Sequence, residues 1–258
     1  MMRAMHERVA LVTGGSRGIG AAIVRGLVQS GTAVFFTYAR DVAAAEGFVR
    51  ELGSERVASA RSDVGDPASH EPLVRTCLAR FGRLDVLVNN AGIFAENPFD
   101  GDDFGVWRAG WQRTFDVNLF GAVDLAYVAM RAMRDQVPDA RGVRGRVVNV
   151  VSRAAHRGET TFADYGASKA ALVNFTKSIA RGCARDGIVA FAVAPGFIAT
   201  DMAADALVTN GDVIRGEIPS GRVGIPEEVA SIVAFLASGG ADYATGTTID
   251  VNGASYVR

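Results

Sequence analysis

Two short stretches carry residues able to act together on a ligand. Tyr165 and Lys169 stand four apart in YGASK, inside a run over 163–185 whose pattern predicts a helix, so a phenol and an ammonium share one face. A free phenol titrates near ~10 and a free lysine near ~10.4. A cation beside the phenol lowers it toward proton transfer at neutral pH. The second stretch, Thr13 to Gly20 (TGGSRGIG), reads in two ways. Gly14 to Gly18 satisfies G-x-S-x-G, the elbow that presents a nucleophilic serine, here Ser16; the whole run is also a glycine-rich turn of the kind that cradles dinucleotide phosphates. A nucleophile elbow needs an oxyanion loop before it and an acid and then a histidine after it. Here the turn follows the first predicted strand, and the only later histidines are His70 and His156. The cradle fits better: Gly14, Gly18 and Gly20 follow a strand and open a helix, where pyrophosphate can approach the helix N-terminus.

Seven β-branched runs are expected to be strands, at 9–12, 34–37, 57–60, 86–88, 147–151, 188–193 and 247–251. They are almost continuously apolar rather than alternating, which predicts a parallel sheet buried on both faces. Helical patterns fill the gaps at 19–29, 42–52, 67–80, 104–133, 163–185 and 226–237. The expectation is an α/β fold, a single-domain Rossmann-like doubly wound seven-stranded parallel sheet with helices on both faces, spanning 1–258 with 1–7 flexible. The stretch 135–145 is read as an exposed loop and the weakly patterned 202–218 as a mobile flap. With 27 basic against 28 acidic residues, the charge gives no reason to expect nucleic acid or an acidic membrane as partner. Cys77 and Cys183 are too far apart in sequence for a C-x-x-C pair, so no metal site is expected and a reducing, cytoplasmic setting fits. No apolar run reaches the roughly 18 residues that span a membrane.

The order of motifs resembles the short-chain dehydrogenase/reductase family. TGxxxGxG is followed by Asn89-Asn90-Ala91-Gly92, then Asn118, then Ser152, then Tyr165-Gly166-Ala167-Ser168-Lys169, then Pro195-Gly196 with Ile198 and Thr200. The resemblance runs from about residue 8 to the C-terminus. It implies a catalytic set of Asn118, Ser152, Tyr165 and Lys169, with Tyr165 giving a proton to a carbonyl oxygen during reduction and Ser152 hydrogen-bonding that oxygen. Lys169 would also hold the nicotinamide ribose and pass protons to water through Asn118, and oxidised nicotinamide would help Lys169 to lower the phenol. The cofactor set it implies is Gly14, Ser16, Arg17, Gly18, Ile19, Gly20, Arg40, Asp63, Val64, Asn90, Ala91, Gly92, Tyr165, Lys169, Pro195, Gly196, Ile198 and Thr200. Asn118 shares a stripe with Phe115 and Ala122, so it is expected to be buried and to need a partner.

Cofactor choice is read at the end of the second strand, Phe35-Phe36-Thr37-Tyr38-Ala39-Arg40, which lacks the acid that binds the 2′-hydroxyl of NAD. Arg40 and Arg17 favour the 2′-phosphate of NADP(H). Asp41 is the residue through which NAD(H) remains open. Within the family, APGFIATDM at 194–202 and the ending DVNGA at 250–254 are similar to 3-oxoacyl-acyl-carrier-protein reductases, which implies a ketone or acyl thioester substrate, a homotetramer and a carrier-docking role for Arg181. The loop after Ser152, Arg153-Ala154-Ala155-His156-Arg157, is more basic than that subfamily leads one to expect. An anionic or polyhydroxylated substrate and a solvated loop both stay open there. Sugar, polyol, steroid or cyclic-alcohol dehydrogenases using NAD(H) are the alternative; a serine hydrolase or a non-catalytic dinucleotide-binding protein is the remote one.

Overall fold

The computed structural model describes residues 8–258, so the expectation for 1–7 lies outside the described residues. Seven strands form one parallel sheet in the order β3-β2-β1-β4-β5-β6-β7, with β1 at Val9–Val12, β2 at Ala33–Tyr38, β3 at Val57–Arg61, β4 at Val86–Asn89, β5 at Gly145–Val150, β6 at Ile188–Pro195 and β7 at Thr248–Val251. The order reverses between β1 and β4, and a doubly wound sheet opens its ligand crevice at that point, outside the carboxyl ends of its strands. Every residue of β1, β4, β5 and β6 is buried, as continuous apolar runs require when helices cover both faces.

One face packs against α1 (Gly18–Gln29), α2 (Val42–Leu52) and α8 (Pro226–Ala237), with Ile23, Leu27, Phe36, Phe191, Val233 and Leu236 at its centre. The other packs against α3 (His70–Phe81), α5 (Gly121–Arg134) and α6 (Ala163–Gly182), around Leu11, Leu87, Leu125, Met133 and Ile188. The helix expected over 104–133 is a continuous rod of three parts: α4 (Phe104–Phe115), a π-helical turn over Asp116–Phe120, and α5. The 202–218 stretch, read as a flap, is instead α7 (Asp201–Gly216), interrupted by non-helical backbone at Asn210 (φ −128°, ψ 22°). Its pattern is weak because only Gly211 and Ile214 are buried along it, so burial imposes little periodicity on its sequence.

The loop at 135–145 is exposed over much of its length, as expected, and is also tied down. Gln136 accepts from Leu84 N at 2.6 Å and donates to Leu84 O at 2.8 Å, and Asp139 accepts from Arg146 Nη2 at 2.7 Å. Arg146 also donates to both carboxylate oxygens of Asp242, at 2.7 and 2.8 Å. Arg146 is thus a buried ion paired with two carboxylates.

Candidate active site

The glycine turn leaves β1 with positive φ at Gly14 (64°) and Gly18 (53°), the region open to glycine. A methyl group at Gly20 would run into the Gly14 carbonyl oxygen, and one at Gly15 would stand 2.5 Å from Phe36 Cβ. The turn is fixed from β2, where Gly14 N donates to Thr37 Oγ1 (3.1 Å), and from the end of β4, where Asn90 Nδ2 donates to Thr13 O (3.0 Å) and Gly14 O (3.2 Å). Thr13 Oγ1 in turn accepts from Asn90 N and Ala91 N, both at 3.0 Å. Thr13 and Thr37 escaped the sequence reading, although Thr13 stands first in the TGxxxGxG motif and was available as a signal.

Helix α1 then begins with no side chain capping it and no acid in its first turn. Its N-terminal amides and positive dipole end are free for an anion. Ser16 stays on this turn. His70 Nε2 donates to Val64 O (3.0 Å), and His156 stacks on Tyr256 with ring centroids 5.9 Å apart, so neither histidine is engaged as a partner for a serine nucleophile. Arg17 and Arg40 are exposed. Asp41 accepts from Ala44 N at 2.9 Å as the cap of α2, which commits it to the helix. Beyond β3, Asp63 is exposed with Oδ1 accepting from Gly65 N (2.9 Å), whereas Val64 is buried against the π turn, where a methyl at Gly121 would meet its carbonyl oxygen.

Asn118 sits in that π turn, 1% exposed. Its expected partner is the backbone of Ile93: Oδ1 accepts from Ile93 N at 2.8 Å and Nδ2 donates to Ile93 O at 3.0 Å. This double clasp fixes the segment after Asn90-Ala91-Gly92. A methyl group on Gly92 would stand 3.2 Å from Asn118 Oδ1 and 3.5 Å from Lys169 Nζ, so glycine, amide and ammonium meet there.

Ser152 follows β5 and accepts from Ala154 N at 3.1 Å, which leaves its own hydroxyl hydrogen free to donate. Tyr165 lies in the first turn of α6, braced edge-on by Phe94 at 4.9 Å, and Phe94 stacks on Phe162 at 3.9 Å. Lys169, one turn on, is 3% exposed and donates to Val150 O at 3.0 Å. Burial pushes its ammonium down to about 8. The phenol departs from the sequence expectation: burial holds Tyr165 above its ordinary value, the Ser152 hydroxyl works the other way, and the Glu159 carboxylate adds to the rise. The physical reason is distance and desolvation, since Lys169 Nζ stands 5.8 Å from the Tyr165 ring centroid and spends a hydrogen bond on the backbone.

The remaining wall comes from the end of β6. Gly196 N donates to Val251 O (3.0 Å) and its Cα packs on Asn252; Ile198 is buried and bridges to Gly224. Thr200, at the start of α7, faces the glycine turn, with its Cγ2 3.4 Å from where a methyl on Gly18 would lie. The glycine turn thus meets Asn90, Ala91 and Thr200, and Gly92 meets Asn118 and Lys169, beyond the carboxyl ends of the strands, whereas Arg17, Arg40 and Asp63 lie exposed. Arg181 is exposed in the last turn of α6.

A serine after β5, a tyrosine in the first turn of α6 and an uncapped glycine turn after β1 stand on a doubly wound α/β sheet. The chain belongs to the short-chain dehydrogenase/reductase family. The family model described as enoyl-(acyl carrier protein) reductase matches residues 14–254. The chain is 38% identical over 256 residues to a 3-oxoacyl-[acyl-carrier-protein] reductase of Synechocystis sp., covering 98% of each chain. It is 39% identical to an acetoacetyl-CoA reductase of Shinella zoogloeoides, covering 97% of this chain and 99% of that one. Among solved structures, a blue fluorescent protein from a metagenomic library in complex with NADPH superposes with a TM-score of 0.87 at 34% identity, covering 98% of this chain and 99% of that one. The protein is an oxidoreductase acting on keto or CH–OH groups. No helix among the described residues is long and apolar enough to cross a membrane.

Proposed function

We propose that the protein is an NADP(H)-dependent reductase that interconverts a ketone and a secondary alcohol, with Tyr165 as acid and base, and that the ketone belongs to a 3-oxoacyl chain. The observation that carries this reading is the half-buried Tyr165 beside Ser152, one helical turn from Lys169, with Asn118 clasped to Ile93 and the α1 turn uncapped. Burial keeps the phenol protonated at neutral pH, and the charge of Lys169 and of a bound oxidised nicotinamide would bring it down toward proton transfer. Ser152 donates to the substrate oxygen and Tyr165 gives that oxygen its proton; in the oxidative direction Tyr165 takes the proton back. Bound NADPH supplies the hydride. Lys169 replenishes the proton toward water, and Asn118, clasped to Ile93, keeps that route open beside Gly92.

Gly14, Ser16, Gly18, Ile19 and Gly20 hold the pyrophosphate on the α1 N-terminus, with Asn90, Ala91, Gly92, Asp63 and Val64 along the adenine and ribose side and Pro195, Gly196, Ile198 and Thr200 along the nicotinamide side. Arg17 and Arg40 supply the charge for a 2′-phosphate, and NADP(H) is favoured over NAD(H) because Asp41 is spent on capping α2. A homotetramer is consistent with the apolar surface on the α4–α5 rod, where Phe104, Phe120 and Tyr127 are 74%, 47% and 59% exposed. The activities named for the two relatives make an acetoacetyl thioester the first substrate to test. NADPH oxidation with it should fall about 10²–10⁴-fold in Tyr165→Phe while NADPH affinity stays within about twofold. Unchanged turnover would remove Tyr165 from the acid/base role.

A further inference from the structure

Arg153 is the one residue beside Ser152 that the chemistry above does not use. Its side chain is 6% exposed and Nη1 is buried without a hydrogen-bond partner. The guanidinium lies over Phe197, 4.6 Å from the ring centroid. Arg153 follows Ser152 on the connection after β5, and Phe197 follows Pro195-Gly196 on the connection after β6. The pair therefore stands between the two loops that border the cleft.

A guanidinium keeps its charge at any ordinary pH, and a buried charge is costly unless it is paired. Arg146, the other deeply buried arginine in the described residues, obeys that rule through Asp139 and Asp242. Arg153 does not. The carboxylates of its neighbourhood are turned to Arg157, which lies 3.7 Å from Glu159 and 3.9 Å from Glu217, and no carboxylate stands within 4.0 Å of Arg153 among the described residues. Burial and the Arg157 charge disfavour the Arg153 cation, and Glu159 and Glu217 offset part of this from a distance without touching it. What is missing is an anion small enough to enter the cleft, and a guanidinium with an open edge takes a carboxylate in a two-pronged fit.

We propose that Arg153 binds a carboxylate of the substrate, so that the ketone reduced at Tyr165 and Ser152 is that of a free oxo acid. This rests on the ketone-reduction reading and sets a free acid in place of the thioester. Arg153 directly follows Ser152 in the chain and lies over Phe197 of the neighbouring loop, which sets the acid site beside the ketone site. Phe197 stacks on the guanidinium and holds its plane in place, which fixes the orientation of the acid.

The test compares acetoacetate with its methyl ester in the wild type, Arg153→Met and Arg153→Lys, with NADPH binding as the check of folding. For acetoacetate, Arg153→Met should raise KM about 10- to 100-fold with kcat within about threefold, Arg153→Lys should recover part of the loss, and the ester should be indifferent to both. A second arm titrates propionate, which has no ketone, into the NADP-saturated wild type, Tyr165→Phe and Arg153→Met proteins and reads thermal stabilisation. Saturable stabilisation in the first two and none in the third is expected. Equal losses on acid and ester, no loss on either, or no propionate effect in the wild type would overturn the proposal. If Tyr165→Phe still reduces ketones, the ketone-site reading falls, while the propionate arm continues to read Arg153.

Discussion

The two sides of the cleft are built on opposite principles. Around the glycine turn, hydrogen bonds close on themselves: Thr13, Thr37 and Asn90 satisfy the backbone of 13–15 and 90–91, and the open donors belong to the start of α1. On the side formed by the loops after β5 and β6, polar groups are left open, with Arg153 Nη1 and His156 Nε2 buried and unpartnered. A dinucleotide is the same in every cycle and rewards a rigid mould, whereas a substrate pocket earns selectivity by leaving particular donors for the ligand to satisfy.

The largest effect expected after loss of the Tyr165 hydroxyl comes from breaking the rigid side. Gly20→Ala would push a methyl into the Gly14 carbonyl, a backbone atom that cannot rotate away. Overpacking of this kind costs about 1–3 kcal/mol, and the upper end applies here. NADPH affinity should fall at least about 100-fold by fluorescence titration, with a lowered melting temperature; retained affinity would mean that the turn is softer than its bonding implies. Arg40→Asp sharpens the comparison at the rim of the same side. It should weaken NADPH about 10- to 100-fold and NADH by less than about twofold, as loss of a charge-assisted phosphate contact requires. Equal losses would refute the 2′-phosphate assignment.

The smallest effect is a pH dependence seated on the substrate side. Lys169 loses its proton as pH rises through about 8, so ketone reduction should be half-lost near that pH, and Lys169→Arg should move the fall upward. Stability goes the other way. The folded value lies below that of a free lysine, so from pH 8 toward 10 the unfolded chain holds the proton more tightly and the folded state gains with rising pH. Urea unfolding at pH 7 and 9.5 should show this gain in the wild type and not in Lys169→Met.

The same contrast explains what the sequence disclosed. Strands buried on two faces leave little room for polar residues, so β1, β4, β5 and β6 stand out as apolar runs, and a turn that must carry positive φ at Gly14 and Gly18 announces itself as glycine. Helix α7 did not, because so little of it is buried. The pairing of Arg146 is not legible in sequence, because Asp242 lies 96 residues away. Arg153 was visible as an unexpected charge, but its lack of a partner is a three-dimensional fact. The direction of the Tyr165 shift was misjudged for a similar reason: four-residue spacing places two side chains on one face without revealing that the ammonium is occupied by Val150 O.

The π turn at Asp116–Phe120 carries a last consequence. Each residue of an α-helix advances the rotation by about 100°, so the extra residue held in that turn acts as a phase slip between α4 and α5. The two halves of one rod can then follow different angular programmes, α4 presenting Phe104 outward while α5 keeps Leu125, Ala129 and Met133 on the sheet. Deleting a single residue between 116 and 120 would restore a uniform winding and force one half to rotate against its packing. Helical content would survive such a deletion, but Asn118 would no longer face Ile93.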